Sequence, residues 1–175
     1  KMLRAIGQQT GSCFQRCVGH DGLNSVYSVT YEIDKMKGSN YHQRLLKLLT
    51  EIQTRDLMVS GAMTDPKGDR SLPPGKQKDP DAYLHIVQRK TDGIIVRGAK
   101  AHITGAVNSH GHLVMPTASM TADDADYAVC FYVPVDAPGV IHIFGRQTND
   151  TRKCDCTLDQ GNEEYGIVGG EALVV

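Results

Sequence analysis

Apolar residues recur at steps of three and four in the first third of the chain, which is the spacing of an amphipathic helix. Between positions 41 and 52 these residues are Tyr41, Leu45, Leu48, Leu49 and Ile52. The Ser39-Asn40 pair before them suits a helix N-cap. A second helix is predicted around Val26 to Met36, because Gly38 can adopt the left-handed conformation that closes a helix. Residues 1–57 are therefore predicted to be helical.

Beyond Val59 the pattern changes to short β-rich runs bounded by glycine, proline and acidic turns. YLHIVQRK and GIIVRGAKAHIT flank Thr91-Asp92-Gly93, and an Asp-Gly turn between such runs is typical of a β-hairpin. HLVMP, YAVCFYVP and VIHIF predict further strands. We therefore predict an α+β fold, in which residues 58–175 form a compact antiparallel β-barrel or sandwich.

Composition and charge narrow the class of protein. The 175 residues carry a formal net charge of -1, which favours neither nucleic acid nor an anionic membrane as a partner. No apolar run approaches the roughly 20 residues of a membrane helix, and no signal segment precedes the first helix. The five cysteines, at uneven spacing, favour reduced thiols or metal ligation over a secreted disulfide framework. We expect a cytoplasmic protein of small-molecule chemistry.

Both ends of the chain suggest a fragment. The sequence opens on KMLRAIG without an initiator methionine and stops at EALVV, an apolar run that predicts an unfinished strand. We therefore expect a larger protein around these residues.

The first candidate site is the cysteine pair in CFQRCVGHD. Cys13 and Cys17 are four residues apart, which on a helix places their Cβ atoms about 5 to 6 Å apart on one face. Both sulfurs could then bind one iron-sulfur cluster. On spacing alone, two buried thiols acting as small hydrophobes are the favoured alternative. Cys130, in a predicted strand, and Cys154 and Cys156, in a charged loop, are not obvious further ligands.

The second candidate is the long connection GAMTDPKGDRSLPPGKQKDPD. Long ordered connections in compact domains are often functional, and backbone amides here could wrap a flavin or a phosphate. The alternative is a solvated linker in which Lys67, Asp69 and Arg70 pair with each other at the surface.

The third candidate is VRGAKAHITGAVNSHGHLVMPT, which groups glycines, histidines and hydroxyl residues. Glycines permit close approach to a planar ligand, and Thr104 and Ser109 supply hydroxyl donors. His110 and His112 alternate along a predicted strand and should point to opposite faces. This arrangement favours hydrogen-bonded structural histidines over a zinc site.

Four segments together carry a family resemblance: MTDPKGDRS, VRGAKAHITGAVNSHGHLVMPT, DADYAVCFYVPVDAPGV and GRQTNDTRK. They resemble the 4-hydroxybutyryl-CoA dehydratase/vinylacetyl-CoA delta-isomerase family, in the group that contains 4-hydroxyphenylacetate 3-monooxygenase. The resemblance covers nearly the whole chain and implies an acyl-CoA dehydrogenase-like fold. Residues 1–57 would end its N-terminal helical domain, and residues 58–175 would be its middle flavin-binding β-barrel. The family's C-terminal helical bundle would lie beyond this chain.

The resemblance also implies cofactors and their ligands. Cys13 and Cys17 resemble two ligands of a 4Fe-4S cluster, whose histidine and third cysteine ligands lie in the family's C-terminal region. Thr104 would hydrogen-bond near N5 of FAD, and Glu171 matches an active-site glutamate placed for acid/base work or substrate orientation. The implied FAD-binding residues are Met63, Thr64, Asp65, Pro66, Lys67, Gly68, Asp69, Arg70 and Ser71 in a wrapping loop, and His102, Ile103 and Thr104 in the strand at the isoalloxazine edge.

The implied reaction is the dehydration of 4-hydroxybutyryl-CoA to crotonyl-CoA by a flavin radical mechanism assisted by the cluster, with vinylacetyl-CoA delta-isomerase activity. The implied partners are an acyl-CoA substrate, the rest of the subunit and a homotetramer, and this chain alone would be inactive. Two alternatives remain: a flavin-dependent aromatic hydroxylase without a cluster, and a non-catalytic domain of the same fold. The cysteine pair argues against the hydroxylase.

Overall fold

The computed structural model of the protein describes residues 17–144 and 171–174, together with Ala5, Gln8 and Gln9, whose backbone is helical. Within these residues two long helices come first, α1 at Cys17–Lys37 and α2 at Tyr41–Thr54. The strands are β1 Val59–Ala62, β2 His85–Arg89, β3 Ile94–Arg97, β4 Ala99–Lys100, β5 Gly111–Val114, β6 Phe131–Pro134, β7 Ile141–Phe144 and β8 Glu171–Val174. Short 3-10 helices span Pro74–Lys76, Ala106–Asn108 and Ala122–Asp124. The predicted α+β class is confirmed.

Helix α2 is capped by a side chain of the preceding helix. Asn40 occupies the N-cap position without a side-chain capping bond. The amides of Tyr41 and His42 instead donate to the Asp34 carboxylate at 2.9 and 2.8 Å, and the Ser39 hydroxyl donates to it at 2.6 Å. Burial raises the pKa of Asp34, but these hydrogen bonds outweigh it and hold the pKa below its ordinary value. The predicted helix start is confirmed, whereas the capping residue is Asp34.

The strands form three small sheets in the described part of the chain. The first has the order β1-β5-β6, with β1 parallel to β5 and β5 antiparallel to β6. The second is the predicted hairpin β2-β3 around Asp92-Gly93, and the third has the antiparallel order β4-β8-β7. The predicted antiparallel barrel is therefore wrong for these residues, because no closed barrel forms among them and β1 pairs in parallel. Local alternation identifies strands but does not identify their partners.

The first sheet separates two hydrophobic clusters, because successive strand residues face opposite sides. Val59 and Leu113 face the helices, whereas Ala62 and Val114 face the remaining strands. The cluster on the helical side consists of Leu23, Leu45, Ile52, Val59 and Leu113. The cluster on the other side consists of Ala62, Leu84, Ile86, Ile103, Ala106, Val114 and Val129. Ile103 thus anchors the segment before Thr104 in the core.

Helix α1 lies unusually close to strand β1. A Cβ atom added at Gly19 would overlap the backbone carbonyl of Val59, and one added at Gly61 would overlap the side chain of Val18. Glycine at these positions permits the contact, so the start of α1 lies directly against the strand that leads into residues 63–71.

Among the described residues, neither helix is apolar enough along its length to span a membrane.

Candidate functional site

A buried lysine joins the two segments predicted to bind flavin. Lys100, at the end of β4, is only 3% exposed. Its ammonium donates to the carbonyl oxygen of Met63 at 2.9 Å and forms an ion pair with the Asp65 carboxylate. The amide of Ala101 donates to the carbonyl oxygen of Thr64 at 2.8 Å. The start of the predicted wrapping loop therefore lies beside the strand that leads to His102, Ile103 and Thr104.

Thr117 completes the polar environment of Asp65. Its hydroxyl lies 2.8 Å from Asp65 Oδ2 and 3.3 Å from the carbonyl oxygen of Met63. The carboxylate therefore has a partner at each oxygen, as a largely buried charge requires.

The rest of the loop is ordered by short-range hydrogen bonds. Asp69 accepts hydrogen bonds from the amide and hydroxyl of Ser71 at 2.9 and 2.6 Å, and these bonds lower its pKa. Gln77 accepts from the amide of Asp69 at 2.9 Å and donates to its carbonyl oxygen at 3.0 Å. Asp69 is therefore engaged with Ser71, and in the described part of the chain Lys67 and Arg70 form no ion pair with it.

A cavity of about 220 Å³ lies against this loop. It is lined by residues 64–68, Arg70, Tyr83, Thr117 and Ala118. Both cations of the wrapping loop, Lys67 and Arg70, border the cavity and are exposed. Cationic side chains beside a glycine-containing loop suit an anionic group such as a phosphate.

The predicted N5-contacting segment contains a strained turn. His102 has φ of 56°, a left-handed conformation that non-glycine residues seldom adopt, and Gly105 has φ of 78°. Ile103 between them is buried, whereas His102 and Thr104 are exposed. The turn therefore holds the Thr104 hydroxyl at the surface on a backbone anchored by Ile103. Strained backbone of this kind is concentrated at functional sites.

Glu171 begins strand β8, and its backbone lies opposite Phe144 of β7. On its other edge β8 pairs with β4, where Leu173 lies opposite Lys100. The backbone thus brings the loop, the strand leading to Thr104 and the strand that begins at Glu171 into one region.

The structure describes only one member of the predicted cysteine pair. Cys13 lies outside the described residues, as do Cys154 and Cys156, while Cys17 is the first residue of α1. Among the described residues no group of three or more His, Cys, Asp or Glu side chains could hold a metal ion. Cys130 is a free, exposed thiol just before β6.

A buried histidine of the first sheet forms hydrogen bonds to a residue of that sheet and to a residue of the third sheet. His112 of β5 is fully buried and lies opposite Ser60 of β1, with Nδ1 2.6 Å from the serine Oγ. Its Nε2 lies 2.9 Å from Nε2 of His142 in β7. His110 points elsewhere and accepts a hydrogen bond from the amide of Met58 at 2.9 Å. Both histidines are hydrogen-bonded, as predicted.

Burial and, secondarily, the nearby His142 lower the pKa of His112 from 6.5 to about 4. In the unfolded chain the imidazole of His112 is protonated below about pH 6.5, whereas in the folded protein it is protonated only below about pH 4. The contribution of His112 to stability should be complete above pH 6.5 and should be lost as the pH falls towards 4, by at most about 3 kcal/mol.

Denaturant unfolding at pH 7, 6 and 5 measures this loss. His112→Gln should flatten the decline in the free energy of unfolding, whereas the control His110→Gln should retain it. An unchanged decline in His112→Gln would assign the acid sensitivity to other groups.

Lys100, Thr117, Ser60 and His142 were not among the residues predicted for the site. No local signal marks the lysine, because alternation in AKA places it on the face opposite the two alanines, which a strand usually exposes. The other three become recognisable only through their partners in space.

The whole chain, residues 1–175, matches the family described as 4-hydroxyphenylacetate 3-hydroxylase N terminal. It therefore belongs to that family. Within this class, the 4-hydroxybutyryl-CoA dehydratase/vinylacetyl-CoA-Delta-isomerase of Clostridium aminobutyricum is 58% identical over 177 residues. The alignment covers 100% of this chain and 36% of the relative, so the chain spans about a third of that protein.

Solved structures show the same relationship. An oxygen-tolerant archaeal 4-hydroxybutyryl-CoA dehydratase from N. maritimus is 48% identical and superimposes with a TM-score of 0.83, over 99% of this chain and 35% of its own. The oxygenase component HpaB of 4-hydroxyphenylacetate 3-monooxygenase, solved in complex with FAD, is 21% identical and superimposes with a TM-score of 0.61. That match covers 91% of this chain and 32% of HpaB, and it shows a shared fold.

Proposed function

We propose that this chain is the end of the N-terminal helical domain and the middle flavin-binding domain of a 4-hydroxybutyryl-CoA dehydratase with vinylacetyl-CoA delta-isomerase activity. The observation that carries the proposal is 58% identity along the whole chain to such an enzyme. Relatives named as aromatic hydroxylases match less of the chain, as with the Escherichia coli 4-hydroxyphenylacetate 3-monooxygenase oxygenase component, 33% identical over 57% of it. The hydroxylase is therefore the weaker alternative.

The residues beside the cavity fit FAD. About 220 Å³ is less than the roughly 300 to 1,000 Å³ of a whole ligand pocket, so this cavity would receive one part of the dinucleotide, such as a phosphate. Lys67 and Arg70 supply cations for that part, and the exposed Thr104 supplies a hydroxyl for the ring system. That an FAD complex exists for HpaB, which shares the fold, supports the same cofactor here.

Half of a ligand set for a 4Fe-4S cluster is available in Cys13 and Cys17. Two thiolates cannot complete such a cluster, and the family resemblance assigns the other ligands, a histidine and a third cysteine, to the C-terminal region of the full-length enzyme. The close contact of α1 with β1 supports this arrangement, because Val18 and Gly19, which directly follow Cys17, lie against the strand that enters the proposed flavin loop.

The chain's own residues then have separate roles. Lys100 and Thr117 hold the loop in place, Thr104 orients the flavin edge, and Glu171 orients the acyl-CoA or transfers a proton to or from it. When bound, FAD would supply one-electron redox chemistry for the activation of the β hydrogen of the substrate. The whole enzyme would be a cytoplasmic homotetramer, with its CoA site completed outside this chain.

The cluster assignment is tested by replacing Cys17 with alanine in the full-length enzyme, purified anaerobically. We expect iron and acid-labile sulfide to fall by about the full content of one cluster, because the loss of one thiolate leaves the coordination of the cluster incomplete. Cys130→Ala is the matched control, since that thiol is free and exposed, and it should retain the cluster.

Iron analysis combined with the ultraviolet-visible spectrum separates the candidate functions. Flavin bands with iron and dehydratase activity support the proposal. Flavin bands without iron in the unmodified enzyme would exclude the dehydratase and favour the hydroxylase, while neither cofactor would indicate a non-catalytic domain.

A further inference from the structure

The buried His112 ring connects the two sheets that surround the proposed flavin site. On one side it bonds Ser60 in β1, three residues before the wrapping loop begins at Met63. On the other side it bonds His142 in β7, which pairs with the strand that begins at Glu171. The ring thus lies between strand β1, which leads into the wrapping loop, and strand β7, which pairs with the strand of Glu171.

The environment of the ring makes these bonds directional. His112 is neutral at neutral pH because burial lowers its pKa to about 4, so one ring nitrogen donates and the other accepts. The bond between the two Nε2 atoms requires a hydrogen on one imidazole and a lone pair on the other. The tautomer of His112 thereby fixes the role of its partners. In an apolar interior such bonds are strong and costly to break.

The neighbouring core shows why a polar ring is unexpected here. His112 lies between Gly111 and Leu113, with Val114 beyond, and all four residues of β5 are buried. A hydrophobic residue would fill the space without the cost of burying an imidazole. The imidazole is therefore better explained by its two hydrogen bonds, which fix Ser60 relative to His142, than by packing.

We propose that His112 is a positioning residue that sets the wrapping loop relative to the Glu171 strand and thereby the placement of bound FAD. The proposal rests on the proposed function. Lys100 ties the third sheet to the loop, and His112 ties the same sheet to β1. Together the two ties fix the separation between the flavin-binding segments.

The test compares full-length enzymes carrying His112→Leu, His112→Gln and the control His110→Leu. Each is measured for FAD dissociation constant, flavin midpoint potential and iron content. We expect His112→Leu to bind FAD about tenfold more weakly and to shift the potential, because both bonds of the ring are lost. His112→Gln should recover part of the affinity, since an amide both donates and accepts. His110→Leu should match the unmodified enzyme, and all three should retain iron.

Ser60→Ala keeps the inference testable if His112→Leu does not fold. It removes one bond and should shift affinity and potential in the same direction by a smaller amount. In the double variant Ser60→Ala/His112→Leu, the effects should be less than additive, because both changes break one network.

The inference is overturned if His112→Leu, or Ser60→Ala in its place, binds FAD as tightly and at the same potential as His110→Leu. An unmodified enzyme without FAD or dehydratase activity would instead overturn the proposed function, and the inference with it.

Discussion

Replacing Lys100 by methionine is expected to release FAD from the full-length enzyme and to destabilise its fold. The change leaves the largely buried Asp65 carboxylate without its cation and the Met63 carbonyl without a donor. Breaking one partner of a buried ion pair costs about 3 to 5 kcal/mol. We expect the free energy of unfolding to fall by about 3 kcal/mol and FAD to bind about 100-fold more weakly.

Two further variants distinguish a loss of FAD affinity caused by a displaced loop from one caused by lower stability of the whole fold. Lys90→Met alters an exposed lysine beside the β2-β3 turn and should change neither quantity. Combining Lys100→Met with Asp65→Asn removes the unpaired charge and should recover much of the stability, while FAD binding remains weak. Retention of FAD at full affinity by Lys100→Met would show that the loop does not depend on the ion pair.

The second large effect is expected from Gly19→Ala, which should move helix α1 away from strand β1. The added methyl would meet the backbone carbonyl of Val59, which cannot rotate away. Overpacking of this kind costs about 1 to 3 kcal/mol, beyond the roughly 1 kcal/mol that alanine gains over glycine in a helix. We therefore expect denaturant unfolding to show a net loss of up to about 2 kcal/mol.

Gly22→Ala provides the matched control, because it lies one turn along the same helix and gains the same helical propensity. Its methyl would meet the flexible ends of Leu113 and Met115 rather than backbone. It should lose less stability than Gly19→Ala and should retain iron, whereas Gly19→Ala should also lower iron content. Equal stability of the two variants would contradict a tight contact between α1 and β1.

Local signals in the sequence predicted the local structure well. The spacing from Tyr41 to Ile52 gave a helix with the right start, and Asp92-Gly93 gave the hairpin. Gly38 closes α1 with a φ of 64°, as its position predicted. In each case the physical cause lies within a few residues of the element it shapes, so it can be read from the sequence.

Features that depend on distant partners were not predictable in this way. The parallel pairing of Val59 with Gly111 joins residues far apart in the chain, and local alternation does not contain it. The capping of α2 by Asp34 depends on the position of α2 relative to the end of α1, which contains Asp34. A lysine in a strand suggests exposure until its burial beside Asp65 is known. Family resemblance marked residues 63–71 as the proposed flavin loop, but it did not identify Lys100 and Thr117, which hold that loop.

The parallel contact between β1 and β5 has a consequence for the order of folding. Residues 63–71 and 102–104 both lie within the single connection that runs from Ala62 to Gly111. Parallel pairing across so long a connection requires the entropy of loop closure to be overcome first, so such contacts form slowly. The same closure brings together the two halves of the proposed FAD site, which lie near opposite ends of the connection. We expect cofactor insertion to follow chain collapse, so that FAD is captured by a nearly complete fold.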